Sequence, residues 1–283
     1  MYKQIGLKLL LTIVAILACI GLYTGFTWET APDYNLYGVP VLNYHEVNDD
    51  KFSPLAMGIG HFEQQMDYLH KNGYHTITPD QLYDYLTKGT ALPDKPVLIT
   101  FDDGYEDNYK NAFPYLRKYN MKATLFVIGD DVDKPNFMTA AQLQEIDKQN
   151  IDVQGHTWTH RDMRKLSYQE VLDEQTHVKH YLENLLHKPI YYTAYPCGFT
   201  SPTVEAATKA AGYRLAWTVK TGDDKPGQNL YALPRMPVFE GDDAFLSLRL
   251  RLHMSPTVTD LWTLRDDLVA RHLYWLANFV PLF

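Results

Sequence analysis

Apolar and polar positions along this chain follow two alternating periods. Short, mostly β-branched apolar runs bounded by glycine, proline or asparagine predict buried strands. They cover Val39 to Tyr44, Tyr74 to Ile77, Pro96 to Phe101, Ala123 to Ile128, Ile151 to Gln154, Tyr191 to Tyr195, Arg214 to Val219 and Leu233 to Val238. Between them, apolar residues recur every three or four positions, the period of a helix with one buried face. His61 to Asn72 carries Phe62, Met66 and Leu69 on one side and stops at Gly73. Three capping boxes open further helices: Thr78-Pro79-Asp80-Gln81, Thr139 to Gln142, and Ser167 to Glu170. The last begins a long helix faced by Val171, Val178, Leu182 and Leu185. Helices are also expected around Asn111 to Tyr119, from Ser201-Pro202 to Gly212, and over Asp243 to Leu252.

Strand and helix therefore alternate about seven times, the pattern of a parallel sheet covered by helices. No glycine-rich nucleotide loop is present, which favours a barrel over an open doubly wound sheet. The expected fold is α/β: a distorted, partly open (β/α)7 barrel over residues 38–252, with a membrane-spanning helix before it. His45, Asp102-Asp103, His156 and the Pro196 turn each fall just past the C-terminal end of a predicted strand. In barrels that rim is where active sites sit.

The two ends of the chain differ from this pattern. Lys3 and Lys8 precede an uncharged run of 18 residues, Leu9 to Phe26, with Glu29 and Asp33 beyond it. That length is near the lower limit for crossing a bilayer, and the lysines place the N-terminus in the cytoplasm. Residues 1–27 are expected to form an uncleaved signal anchor, followed by a tether over 28–37. A cleaved signal peptide and a lipoprotein signal ending at Cys19 are the alternatives. All three put the domain outside the cell, the first of them as a single-pass protein of the cell membrane. The tail, 253–283, carries Leu261, Trp262, Leu264, Leu268, Leu273, Trp275, Leu276 and Phe279. Arg265, Asp266, Asp267 and Arg271 argue against a second span. Packing on the barrel is expected, with rest in the membrane interface as the alternative.

Composition narrows the chemistry. A net charge of −8 argues against a broad nucleic-acid-binding face. The 21 tyrosines suit a sugar-binding cleft but equally a core. With only Cys19 and Cys197, the chain has no disulfide framework and no cysteine zinc motif, so any metal site uses histidine and carboxylate.

Asp102-Asp103-Gly104 could be an ordinary turn. Adjacent residues at a strand's end diverge, however, so two neighbouring acids can hold different tasks in one pocket. His156 and His160 are four apart, and on a helical turn that spacing puts both imidazoles on one face. Two histidines and a carboxylate, with one position left to water, form the ligand set of a catalytic zinc site. A solvated surface pair has the same spacing. His177 and His180, mid-helix among charges, illustrate that alternative. The first pair differs in following a strand onto the same rim as Asp103.

Thr100-Phe101-Asp102-Asp103-Gly104 and His156-Thr157-Trp158-Thr159-His160 resemble the first two motifs of the NodB-type polysaccharide deacetylases, carbohydrate esterase family 4. The resemblance spans roughly Gly38 to Leu252. It is nearest to the branch that deacetylates poly-β-1,6-N-acetylglucosamine. That finer match rests on Asn43-Tyr44-His45, Ala194-Tyr195-Pro196-Cys197-Gly198, and Leu233-Pro234-Arg235 with Asp242-Asp243-Ala244-Phe245.

The resemblance implies Asp103, His156 and His160 as metal ligands, Asp102 as general base and His45 as general acid. The backbone N–H of Cys197 would stabilise the oxyanion, with Tyr195 in the same turn and Trp217 stacking on sugar or lining an acetate pocket. Core packing is the plainer role for Trp217. The implied cofactor is a divalent metal, zinc first, although the same ligands accept Co2+, Ni2+, Mn2+ or Fe2+. The implied partners are an N-acetylglucosamine polymer, the membrane, and a polysaccharide synthase or export complex.

Two positions depart from the broad family. Ala194 stands where an arginine is usual and Cys197 where a tyrosine is usual. Arg235 is expected to replace the arginine that orients the base. Leu250-Arg251-Leu252-His253 imitates the broad family's late histidine donor and competes with His45. A peptidoglycan or chitin-oligomer deacetylase, an O-acetyl esterase and a non-catalytic glycan-binding module are the rival functions.

Overall fold

Six consecutive buried positions make β1 (Val39–Tyr44) a strand covered on both faces, and β5 (Pro96–Phe101) is the same. Such continuous apolar runs belong to parallel sheets with helices on one side and a second layer on the other. Between them come β2 (Glu46–Val47), β3 (Ala56–Met57), α1 (Ile59–Lys71), β4 (His75–Thr76) and α2 (Pro79–Lys88). After β5 follow a π-helical turn over Asn108–Ala112, α3 (Phe113–Lys118), β6 (Ala123–Val127), α4 (Ala140–Asp147), β7 (Ile151–Gly155) and α5 (Tyr168–Leu186). The rest comprises β8 (Tyr192–Ala194), α6 (Pro202–Ala210), β9 (Leu215–Trp217), β10 (Asp223–Asp224), β11 (Met236–Pro237), α7 (Ala244–Ala270) and α8 (Tyr274–Ala277). This computed structural model describes residues 38–50, 53–241, 244–277 and 280.

The main sheet runs β10-β1-β5-β6-β7-β8-β9. β11 pairs in parallel with β1 through Leu42–Met236, and Leu233 bridges in parallel to Trp217 of β9. The segment 233–237 therefore touches both ends of the sheet and curls it into an incomplete barrel, as expected. Alternate residues separate two cores. Val39, Val41, Leu98, Phe126, Tyr192, Leu215 and Trp217 fill the inside. Leu42, Tyr44, Ile99, Phe101, Leu125 and Val153 face the helices and meet Phe62, Met66, Phe113, Leu143, Val178 and Leu182.

Thr78, Thr139 and Ser167 each accept from the N3 backbone N–H, and the N3 side chain returns the bond, so the three capping boxes form as expected.

The C-terminal region departs from expectation. α7 does not stop at Leu252 but continues to Ala270, running through Pro256. The boundary expected between residues 252 and 253 thus falls inside a helix. Ala244, Leu248 and Leu252 pack into the core, whereas Leu264, Val269, Leu273, Tyr274 and Trp275 are exposed. In the tail itself Ala277 is buried and the Trp262 ring lies 4.8 Å from the buried Arg251 guanidinium, so packing holds for part of it. The expected signal anchor and tether lie outside the described residues. Among the described residues, no helix is long and apolar enough to cross a membrane.

Candidate active site

The end of β5 explains how two adjacent acids come to face different partners. The Asp102 N–H donates to the Tyr44 carbonyl at 3.0 Å, which extends the β1–β5 ladder by one residue. Asp103 and Gly104 then take φ of 72° and 91°, turning the chain away. Glycine adopts that conformation without strain, while an aspartate there needs outside support. The turn receives it from Ile128, whose N–H donates to the Asp103 carbonyl at 3.3 Å.

Asp103 points to the two histidines. Its Oδ1 lies 3.3 Å from His156 Nε2 and 3.4 Å from His160 Nε2. One ligand atom from each of the three residues lies within 4.8 Å of the others. His156 is buried, and its Nδ1 sits 2.8 Å from the Ala194 carbonyl. A carbonyl only accepts, so Nδ1 carries a proton, which leaves Nε2 as the nitrogen that would present its lone pair to a cation. Asp103 Oδ1 is buried with no hydrogen-bond partner. A carboxylate oxygen between two imidazole nitrogens, with no well-formed hydrogen bond of its own, fits the donor set of a divalent ion.

Burial pushes the Asp103 carboxyl up, but His156 outweighs it and the net shift is downward. For His156, burial lowers the pKa while Asp102 and Asp103 raise it further, so the net shift is upward. Burial, with His156 beside it, lowers that of His160.

Asp102 faces the barrel interior. Arg235, fully buried, grips it with two bonds: Nη1 to Oδ1 and Nη2 to Oδ2, both at 2.7 Å. The same guanidinium donates through Nε to the Thr218 carbonyl at 2.9 Å and through Nη1 to Thr100 Oγ1 at 3.3 Å. Burial pushes the Asp102 carboxyl up; Arg235, His156 and His45 more than offset it and hold it well below the usual carboxylate range. His45 Nε2 lies 3.9 Å from Asp102 Oδ2. His253 instead faces α1, with Nε2 3.0 Å from the Tyr68 hydroxyl. Of the two candidate histidines, His45 is the one brought to Asp102.

Cys197 occupies an exposed turn with φ of 54°. The next residue, Gly198, has φ of 69°, and a Cβ there would stand 2.3 Å from the Val219 backbone nitrogen. Only glycine fits this crossing of two loops.

Three expectations need correction. Tyr195 and Trp217 are fully buried: the substrate role expected for Tyr195 is closed to it, and Trp217 takes the core-packing role rather than stacking on sugar. The Tyr195 hydroxyl donates to the Tyr231 carbonyl at 2.9 Å. Trp217 donates from Nε1 to Asp224 Oδ2 at 2.9 Å and packs on Phe126 with ring centres 5.5 Å apart. Its strand position points it inward, where an indole fills the barrel. The His156–His160 segment is an irregular turn rather than a helical one, with Thr157 at φ 65° and His160 at φ 56°. The imidazoles converge because the backbone doubles back. His177 and His180 are exposed, as expected, and His177 also stacks on Trp158 with ring centres 3.8 Å apart.

Glu174 was missed by sequence reasoning. It sits between Val171 and Val178 on the buried face of α5. An acid on an apolar stripe was the signal available.

A family model described as polysaccharide deacetylase matches residues 89–216. The Bacillus subtilis protein YxkH, which carries the same family name, is 36% identical over 204 residues, 72% of each chain. The poly-beta-1,6-N-acetyl-D-glucosamine N-deacetylase of Staphylococcus epidermidis is 29% identical over 201 residues, 66% of this chain and 68% of that one. Among solved structures, the Streptococcus pyogenes deacetylase PplD in complex with acetate superposes with a TM-score of 0.71 at 27% identity, covering 75% of this chain and 96% of that one. The matched stretch holds Asp102, Asp103, His156 and His160, and the curled barrel that presents them is shared: this chain belongs to the polysaccharide deacetylase family.

Proposed function

We propose that this deacetylase hydrolyses the N-acetyl groups of a poly-β-1,6-N-acetylglucosamine polymer, releasing acetate and leaving glucosamine, with a divalent metal, zinc first. The partnerless Asp103 Oδ1 between two imidazoles carries the proposal. Asp103, His156 and His160 would hold the ion, which when bound supplies a Lewis acid that brings the pKa of water to about 7 and polarises a carbonyl.

The chain's own residues account for the rest. Asp102, kept ionised and oriented by Arg235, accepts the proton of the attacking water. The Cys197 N–H, at the exposed turn, donates to the oxygen that gains charge as the acetamide becomes tetrahedral. His45 gives a proton to the departing sugar nitrogen, without which the amine cannot leave.

Several observations support a polymeric substrate of this type. A cleft of about 1260 Å³ opens beside the Cys197 turn, between Gly198, Phe199, Lys220 and Phe239 on one side and Trp262 and Arg265 of α7 on the other; Asp102, Asp103, His156 and His160 do not line it. Phe239 is exposed and offers an apolar ring to a sugar face, and Phe199, exposed as well, has one face covered by the Arg164 guanidinium at 3.7 Å. The staphylococcal relative acts on poly-β-1,6-N-acetylglucosamine by its name, and Asn43-Tyr44-His45 and Leu233-Pro234-Arg235 match that branch. The N-terminal apolar run supports a domain tethered outside the cell membrane, where polymer leaves a synthase or export complex.

The test is acetate release from purified poly-β-1,6-N-acetylglucosamine, chitin oligomers, peptidoglycan and an O-acetylated glycan, each with and without chelator. The proposal expects chelator-sensitive release with free amine, fastest on the first. Faster release from chitin or peptidoglycan overturns the substrate, ester-only release overturns the amide chemistry, and binding without release overturns catalysis.

A further inference from the structure

The turn that carries His156 and His160 is held in a conformation its own residues disfavour. Thr157 is β-branched, and a positive φ there crowds its Cβ against the backbone. Such a conformation persists only where its surroundings over-determine it. Thr157 Oγ1 accepts from the His160 N–H at 3.1 Å, and the Thr157 and Trp158 carbonyls accept from Gly129 and Asp130 at 3.1 and 2.9 Å. The two N–H groups at the tip, those of Trp158 and Thr159, point the other way.

Both meet Glu174. Its Oε2 accepts from the Trp158 N–H at 3.0 Å and the Thr159 N–H at 2.8 Å. Its Oε1 accepts from the Thr159 hydroxyl at 2.7 Å and from Arg161 Nη2 at 2.7 Å. The residue is 5% exposed. A carboxylate so placed is tolerable only because donors surround it and Arg161 offsets its charge. α5 thus meets the turn in two ways: His177 stacks on the Trp158 ring, and Glu174 occupies both backbone donors at the tip.

We infer that Glu174 is the positioning residue of the metal-ligating turn: it fixes where His160 stands relative to Asp103 without touching either. The inference rests on the metal reading of that site. Without Glu174, the N–H groups of half-buried Trp158 and exposed Thr159 lose their shared acceptor and the turn relaxes around Thr157. His160 Nε2 then leaves its place 3.4 Å from Asp103 Oδ1.

The experiment measures Zn2+ affinity of the full chain by competition with a chromophoric chelator, alongside the melting temperature of the metal-free protein. Glu174→Ala is expected to weaken Zn2+ binding by about 10- to 100-fold, the range for groups that orient metal ligands. Glu174→Gln keeps one oxygen for the two N–H groups but turns an amino group toward Arg161. It is expected to fall between Glu174→Ala and the wild type, several-fold weaker than the latter. Glu170→Ala removes the α5 capping box and serves as the control for stability alone. It is expected to lower the melting temperature and leave Zn2+ affinity unchanged. Equal affinity in wild type and both Glu174 variants overturns the inference while leaving the metal reading intact. If Glu174→Ala fails to fold, unchanged affinity in Glu174→Gln is sufficient to overturn it. Absence of Zn2+ binding by the wild type overturns the metal reading itself, and the role of Glu174 with it.

Discussion

Replacing Arg235 with methionine tests whether the buried ion pair makes Asp102 a base. Methionine is similar in length and apolar, so the packing inside the barrel is largely kept. What is lost can be counted: two charge-assisted bonds of 2.7 Å to Asp102, one to the Thr218 carbonyl and one to Thr100. An exposed pair of this kind would be worth about 0–1 kcal/mol. Here both partners are buried, and removing one leaves an uncompensated charge that costs about 3–5 kcal/mol. Asp102 can escape that cost by taking up a proton, since burial already pushes its carboxyl up and only His156 and His45 remain to oppose it. A protonated Asp102 accepts nothing, and a missing general base costs about 10²- to 10⁴-fold in rate. Acetate release from an N-acetylglucosamine oligomer at saturating zinc is therefore expected to fall by that factor. Zinc affinity should hold, because Arg235 bonds none of Asp103, His156 or His160. Adding Asp102→Asn to Arg235→Met should cost little more, since both changes remove one function. An Arg235→Met enzyme that still releases acetate at close to the wild-type rate would refute the reasoning.

His45→Ala should lose about 10²-fold or more in acetate release, whereas His253→Ala, which faces Tyr68 on α1, should stay near wild type; the reverse ranking removes His45 as the proton donor. Gly198→Ala should impair release and lower the melting temperature, because its Cβ meets the Val219 nitrogen, and a normal melting curve with normal turnover contradicts that crossing. Burial raises the Asp224 carboxyl well above its usual value, despite the Trp217 bond. The protonated form is thus the one the fold tolerates: stability is complete below about pH 4, the unfolded value, and declines as pH rises toward the folded one. Asp224→Asn keeps an acceptor for Trp217 without that dependence. Its melting temperature should match wild type at low pH and exceed it increasingly as pH rises, and a difference that does not change with pH refutes the assignment.

The strands and helices were legible in the sequence because each carries its own local signal. Six positions ending at Phe101, five of them apolar, carry the signal of a buried strand, and Thr78, Thr139 and Ser167 cap their helices through bonds within four residues. The position of His45, Asp102, Asp103 and His156 past strand ends was legible for the same reason, and a barrel brings such ends to one rim. Tertiary structure decided the rest, because it depends on residues far apart in the chain. Trp217 and Tyr195 carry no local mark of which way they face, and the curl of the sheet turned both inward. The His156–His160 spacing suggested a helical turn, yet the backbone doubled back because a carboxylate from α5, fourteen residues beyond His160, accepts the turn's free N–H groups. Arg235 reaches Asp102 only because the segment after β10 returns to lie between β9 and β1. Composition and period determine which elements form. Only closure of the barrel determines which side chains share a pocket.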